Sequence, residues 1–312
     1  MRDAFSNALV TAARTDPRVV LLTGDHGYAL FDDLRRECPD KYLNCGVAEQ
    51  NMVGVAAGLA KAGFLPIVYG LSAFVPVRVL EQIKMDVCYE QLPVVFAGDG
   101  AGVVYSSLGT SHQSTEDVAA LRAVPEMTIL SPADAAEMTA CMAVALAGDG
   151  PVYLRMGKAD LGVVHSAPPV LVRGRPLLVK PGNGPLALMA TGSMVGTAMS
   201  VSSRWPGTAV YSVPYLKPID EVAVADICRR HRAVVTLEEH SVYGGLGGAV
   251  AEIAAAHAPT WVGRVGIDDR FSKYCGSYSY LTREHRIDAD SVVAKIAAFL
   301  DRARLTATLA AA

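Results

Sequence analysis

Residues 42–70 read YLNCGVAEQNMVGVAAGLAKAGFLPIVYG. An alanine- and glycine-rich helical pattern at 47–62 hands over there to a short apolar strand pattern, PIVYG at 66–70. Strands that are apolar throughout and alternate with helices signal a parallel sheet covered on both faces. The alternation extends outward: VVLL at 19–22 comes before, and PVVFAG at 93–98, MTIL at 127–130 and PVYLR at 151–155 come after, with helical patterns at 76–90, 115–123 and 134–147. Residues 1–164 therefore read as one α/β domain. Periodicity then stops in HSAPPVLVRGRPLLVKPGNGP, whose proline and glycine make 165–184 a linker or an extended crossing segment. A second series fills 185–312, with strands at 186–190, 208–213, 233–239 and 261–267 and helices near 193–204, 220–231, 246–257 and 289–302. The expected fold is α/β, two consecutive α/β domains with mainly parallel sheets. The alanine-rich tail after 305 is expected to fray.

Composition narrows the function. A chain of 312 residues can bury a core in each of two domains, and 51% hydrophobic against 19% charged residues excludes a disordered chain. The net charge of −3 offers no basic field for nucleic acid or an anionic membrane. The six cysteines, at 38, 45, 88, 141, 228 and 275, include no C-x-x-C pair, so they read as reduced, without disulfide or structural zinc. The N-terminal MRDAFSNALVTAARTD lacks the apolar block of a signal peptide, and no stretch is long enough to span a membrane. A cytoplasmic location is expected.

One residue in the opening stretch breaks the pattern. Glu49 stands in the first turn of the helix, where the dipole tolerates a carboxylate, but the helix it opens runs on through the small and apolar residues 52–60. A carboxylate buried there needs a specific partner. The glycine cluster Tyr243-Gly244-Gly245-Leu246-Gly247-Gly248 precedes a helix as a phosphate loop would, yet it departs from G-x-G-x-x-G and reads as close packing at a helix start.

The segment around Glu49 resembles the GIAEQ-type motif of the transketolase family, which includes deoxyxylulose-phosphate synthase and the beta subunits of 2-oxoacid dehydrogenases. The resemblance runs through LLTGD at 21–25, GLSAFVPVRVLEQ at 70–82, SLGTSHQSTED at 107–117 and GPVYLR at 150–155. It continues through KPID at 217–220, LEEH at 237–240 and GGLG at 244–247. It implies thiamine diphosphate as cofactor. Glu49 would then hydrogen-bond a ring nitrogen of the aminopyrimidine, Phe74 would stack on that ring, and Asp25 would help shape the site near the thiazolium. A core phenylalanine is the ordinary reading of Phe74. His112 resembles the histidine that contacts donor and intermediate oxygens.

The diphosphate-binding domain of full-length relatives has no counterpart here. The Gly-Asp-Gly triplets at 98–100 and 148–150 are followed by no suitably placed asparagine and read as turns. The chain thus resembles the C-terminal subunit of a split transketolase. Its partner would be an N-terminal diphosphate-binding subunit carrying the Mg2+ ligands, in an α2β2 assembly. Where sugar-phosphate transketolases hold acceptor-binding His, Asp, Ser and Arg, the matching positions are Gly100, Leu108, Ala29 and Lys158, while Arg2 fits a remaining arginine. The ligation machinery looks kept and the acceptor pocket altered. Competing readings are a beta subunit of a 2-oxoacid decarboxylating dehydrogenase, against which GTSHQSTED and the terminal LTREHRID weigh, and a non-catalytic subunit that only stabilises its partner.

Overall fold

The computed structural model describes residues 1–157 and 162–305. Lys158 and the tail after 305 lie outside the described residues. In chain order the strands are β1 (Val19–Thr23), β2 (Tyr42–Asn44), β3 (Leu65–Leu71), β4 (Val95–Asp99), β5 (Thr128–Leu130) and β6 (Val152–Met156). They continue as β7 (Leu177–Lys180), β8 (Leu186–Ala190), β9 (Ala209–Ser212), β10 (Tyr215–Lys217), β11 (Ala233–Ser241) and β12 (Trp261–Ile267). One sheet has the order β10-β5-β6-β4-β3-β1-β2 and the other β12-β11-β8-β9-β7. Pairing is parallel except for β10 on β5 and β7 on β9, each at a sheet edge. The apolar runs of β3, β4, β6 and β8 are buried at every residue, as a parallel sheet covered on both faces requires.

The order of the first sheet places its ligand crevice. From β1 the chain goes to β2 on one side and then to β3 on the other, which makes the carboxyl ends of β1 and β3 a topological switch point. The helix Glu49–Lys61 fills the crossover from β2 to β3, burying Met52, Val53, Ala56, Ala57 and Ala60. It is not buried all round: Gln50, Asn51, Gly54 and Gly58 are exposed.

Three elements differ from the sequence reading. Leu177–Lys180, inside the segment read as a linker, is an edge strand of the second sheet. The pattern at 76–90 is not one α-helix: after Pro76 it runs as a 3-10 turn Val77–Val79, an α-turn Leu80–Gln82 and a π-helix Ile83–Cys88, which buries Ile83, Val87 and Cys88 together. The third is β10, which leaves the second sheet's run of chain to complete the first sheet.

A single hydrophobic core runs from Met52 on the helix Glu49–Lys61 and Val68 on the first sheet to Met189 and Tyr211 on the second. Separate clusters cover the outer face of each sheet. All six cysteines are free; Cys38, Cys88, Cys141 and Cys228 are buried and Cys275 is exposed. Among the described residues no helix is long and apolar enough to cross a membrane.

Buried polar groups bolt the two sheets together. On β6, Arg155 donates through Nε to Asp117 Oδ2 (2.8 Å) and through Nη2 to the carbonyls of Ser114 (3.3 Å) and Glu239 (3.0 Å). Glu239 on β11 accepts from the Val103 backbone N–H, the Ser193 hydroxyl and the Tyr278 hydroxyl. Next to it, Glu238 accepts from the backbone N–H groups of Leu246 (2.7 Å) and Gly247 (2.8 Å) at the start of the helix Leu246–His257. That helix N-terminus is therefore capped by the protein's own glutamate side chain. A Cβ on Gly245 would lie 2.0 Å from Glu238 Oε2, so close packing explains the glycine. His240 Nδ1 lies 2.8 Å from the Ser241 carbonyl, while Nε2 receives the Ala119 backbone N–H at 3.3 Å, a pattern that suits the neutral ring.

These groups predict a stability profile. Burial pushes Glu238 up to about 7 from 4.5, and burial pushes His240 down to about 4 from 6.5. Folded Glu238 keeps a proton that the unfolded chain releases, so its contribution is full below pH 4.5 and is lost as pH rises through 7. Folded His240 refuses a proton that the unfolded chain takes, so its contribution is full above pH 6.5 and is lost as pH falls through 4. The two slopes oppose each other. Glu238→Gln removes the first, and the variant's stability relative to the parent is expected to rise by about 3 kcal/mol from pH 4.5 to 7 in urea titrations. A pH-independent difference would disprove the assignment.

Candidate active site

Three loops that leave carboxyl ends in the first sheet, and the helix after β2, meet at the switch point. Asp25 follows β1 and adopts φ 63°; its carboxylate accepts from Asn44 Nδ2 (3.1 Å), whose side-chain oxygen accepts from the Gly46 backbone N–H (2.9 Å). That chain of bonds fixes the approach to Glu49, the first residue of its helix, which is only 4% exposed. Phe74 follows β3 and is half-buried. Its ring lies 5.2 Å, edge to face, from the ring of His112, which sits in the short turn Thr110–His112 after β4. Ser111 Oγ lies 3.0 Å from His112 Nδ1, and Gln113 Oε1 accepts from Ser272 Oγ across the junction with the second sheet (2.7 Å).

Arg78 ties the group together. Its Nη1 donates to Glu49 Oε1 at 3.1 Å while its guanidinium carbon lies 4.1 Å from the centre of the Phe74 ring. A flat, N–H-bearing group thus rests on Phe74 and bonds to Glu49 at the same time. Those are the two contacts that an aminopyrimidine would require, so the residues fit that ring. Sequence reading did not single out Arg78; the available signal was its position four residues beyond Phe74. His26 was also missed. Its ring stands 6.2 Å from that of Phe74, and its Nε2 is buried without a hydrogen-bond partner among the described residues.

Arg2 belongs to a neighbouring cluster. Its Nε lies 3.5 Å from Asp99 Oδ2, which also accepts from the hydroxyls of Tyr69 (2.7 Å) and Tyr105 (2.9 Å). Burial, and then the charge of Asp99, pushes both phenols well above their usual range, so they act as donors. The Tyr105 ring occupies the space beside Gly100: a Cβ there would lie 2.0 Å from it, and φ is +78°. Ala29 and Leu108 are exposed.

Comparison with known proteins gives this architecture its class. Residues 1–163 match the family described as "Transketolase, pyrimidine binding domain", and residues 177–292 match "Transketolase, C-terminal domain". The chain belongs to the transketolase family. It corresponds to the C-terminal subunit of a split enzyme of that family. It is 35% identical over 298 residues to the 6-deoxy-6-sulfo-D-fructose transketolase subunit SqwH of Clostridium sp. (strain MSTE9), covering 94% of this chain and 92% of that one. It is 34% identical over 263 residues to one subunit of the apulose-4-phosphate transketolase of Actinobacillus succinogenes, covering 83% and 84%. A solved split-gene transketolase, described as an inactive beta4 tetramer, superposes with a TM-score of 0.86 at 34% identity over 96% of this chain and 97% of that one.

Proposed function

We propose that this chain contributes the pyrimidine side of a thiamine diphosphate site and transfers a two-carbon ketol unit from a ketose donor to an acceptor. Residues 1–164 are taken as the pyrimidine-binding domain and 185–312 as the C-terminal domain about a linker at 165–184, except that Leu177–Lys180 of that linker already belongs to the second sheet. The partner is a diphosphate-binding subunit that carries the Mg2+ ligands, in a cytoplasmic α2β2 assembly. The observation carrying the proposal is the convergence of Glu49, Phe74 and His112 at one switch point, with Asp25 holding its rim. Bound thiamine diphosphate supplies an electron sink for the carbon–carbon bond that breaks. Glu49 holds a proton at a ring nitrogen of the aminopyrimidine, desolvated by the helix behind it. Phe74 presents its face to that ring, and Asp25 shapes the approach beside the thiazolium. His112 donates to or accepts from substrate oxygens.

Arg2 and Lys158 are assigned to substrate binding. Asp99 already neutralises Arg2, and Tyr105 fills the space beside Gly100. Both features support an acceptor other than a sugar phosphate bound in the usual way.

The test is reconstitution with a diphosphate-domain subunit, followed by assay with xylulose 5-phosphate and with pyruvate. Turnover of the ketose supports the proposal; turnover of pyruvate alone would move the chain to the 2-oxoacid dehydrogenases, and full activity of the partner by itself would make this chain a stabilising subunit. His112→Asn is expected to lower kcat by about 10²- to 10³-fold and to leave thiamine diphosphate affinity unchanged by calorimetry. Weakened cofactor binding at normal kcat would contradict its role at the substrate.

A further inference from the structure

A cavity of about 520 Å3 opens beside the edge strand β12 and the helix Ala289–Arg302, in the second half of the chain. Val265 and Phe299 give it apolar lining, while its charged lining is Arg264, Arg286, Lys295 and Arg302 against Asp268. Four cations thus face one acid in a chain whose net charge is −3. Arg286 and Arg302 have no acidic partner within ion-pair distance among the described residues. Arg264 spends one N–H on the Val242 carbonyl at 2.8 Å, which fixes its position and leaves further donors. Lys295, with a side chain only 17% exposed, donates to the Gly266 carbonyl at 3.1 Å and has its one carboxylate, Asp268, at 3.9 Å. Burial holds its ammonium below the usual lysine range; Arg286 and Arg270 push in the same direction, and Asp268 and Asp288 oppose them.

We infer that this cavity binds a small organic anion of the phosphate-ester class, its phosphate held between the guanidinium groups of Arg286 and Arg302 and the ammonium of Lys295. The volume suits a metabolite-sized ligand, and guanidinium forks match phosphate oxygens in pairs. The ligand would supply the negative charge that a single carboxylate does not.

The experiment titrates the full chain with inorganic phosphate and pyrophosphate at constant ionic strength, by calorimetry and by thermal melting. Saturable binding with a raised Tm is expected. The double variant Arg286→Gln/Arg302→Gln should bind at least about tenfold more weakly while melting normally without anion. Arg2→Gln should bind as the parent does. An effect matched by chloride, equal affinity in the double variant, or loss of binding in Arg2→Gln would each overturn the site. The first two outcomes would leave these cations as guards of an unpaired strand edge.

Discussion

Replacing Glu49 by glutamine is expected to lower turnover of the reconstituted enzyme by about 10³-fold while the variant still assembles with its partner. The geometry makes the side chain hard to replace. Glu49 is buried at a helix start, its Oε1 is engaged by Arg78, and the Phe74 face stands on the other side of that guanidinium. Glutamine keeps the shape and loses the charge, so the fold should tolerate it; what it would lose under the proposed role is the ability to hold a proton at a pyrimidine nitrogen. Steady-state kinetics with size-exclusion chromatography of the mixed subunits would check this. Turnover within tenfold of the parent would remove Glu49 from the chemistry and leave it as the anchor of Arg78.

The second large effect concerns stability. Arg155→Met is expected to cost about 3–5 kcal/mol, since it strands a buried carboxylate. Asp117 is fully buried; burial pushes its carboxyl up, but Arg155 first and His240 next hold it below the usual range. Without the guanidinium, Asp117 keeps the Tyr153 hydroxyl at 2.7 Å, and the carbonyls of Ser114 and Glu239 lose a shared donor. Such a loss is a large share of a typical folding stability of about 5–15 kcal/mol. Urea titration of Arg155→Met, of Asp117→Asn and of the double variant measures the coupling. A cost below about 1 kcal/mol for Arg155→Met would show that water reaches the pair and replaces the lost charge.

The sheets were legible because burial on both faces leaves no polar alternation: β3, β4 and β8 are near-continuous apolar runs. Glu49 was legible for the converse reason, as a charge at the start of a helix of small apolar residues. Pairing across the chain was not. The three residues of β10 carry no periodicity, and their partner β5 lies some 85 positions earlier in the chain, so only assembly reveals the strand. Arg78 and His26 escaped for a similar reason, since their value lies in what a turn brings them against. Arg2 was read from its match alone, and the carboxylate that neutralises it, Asp99, belongs to a triplet read as a turn. The residues of GPVYLR, HQSTED and LEEH marked the family in the sequence, and in the fold many of them are buried bonds between sheets.

Because β10 belongs to the first sheet while the chain on both sides of it packs with the second, neither half of the molecule is a self-contained piece. A protease that cut once between residues 166 and 173 would yield two fragments that co-migrate under native conditions. Each would carry a strand or a core face that only the other satisfies, and denaturant would be needed to part them. Expressed alone, the N-terminal fragment would present the bare edge of β5 to the next copy of itself.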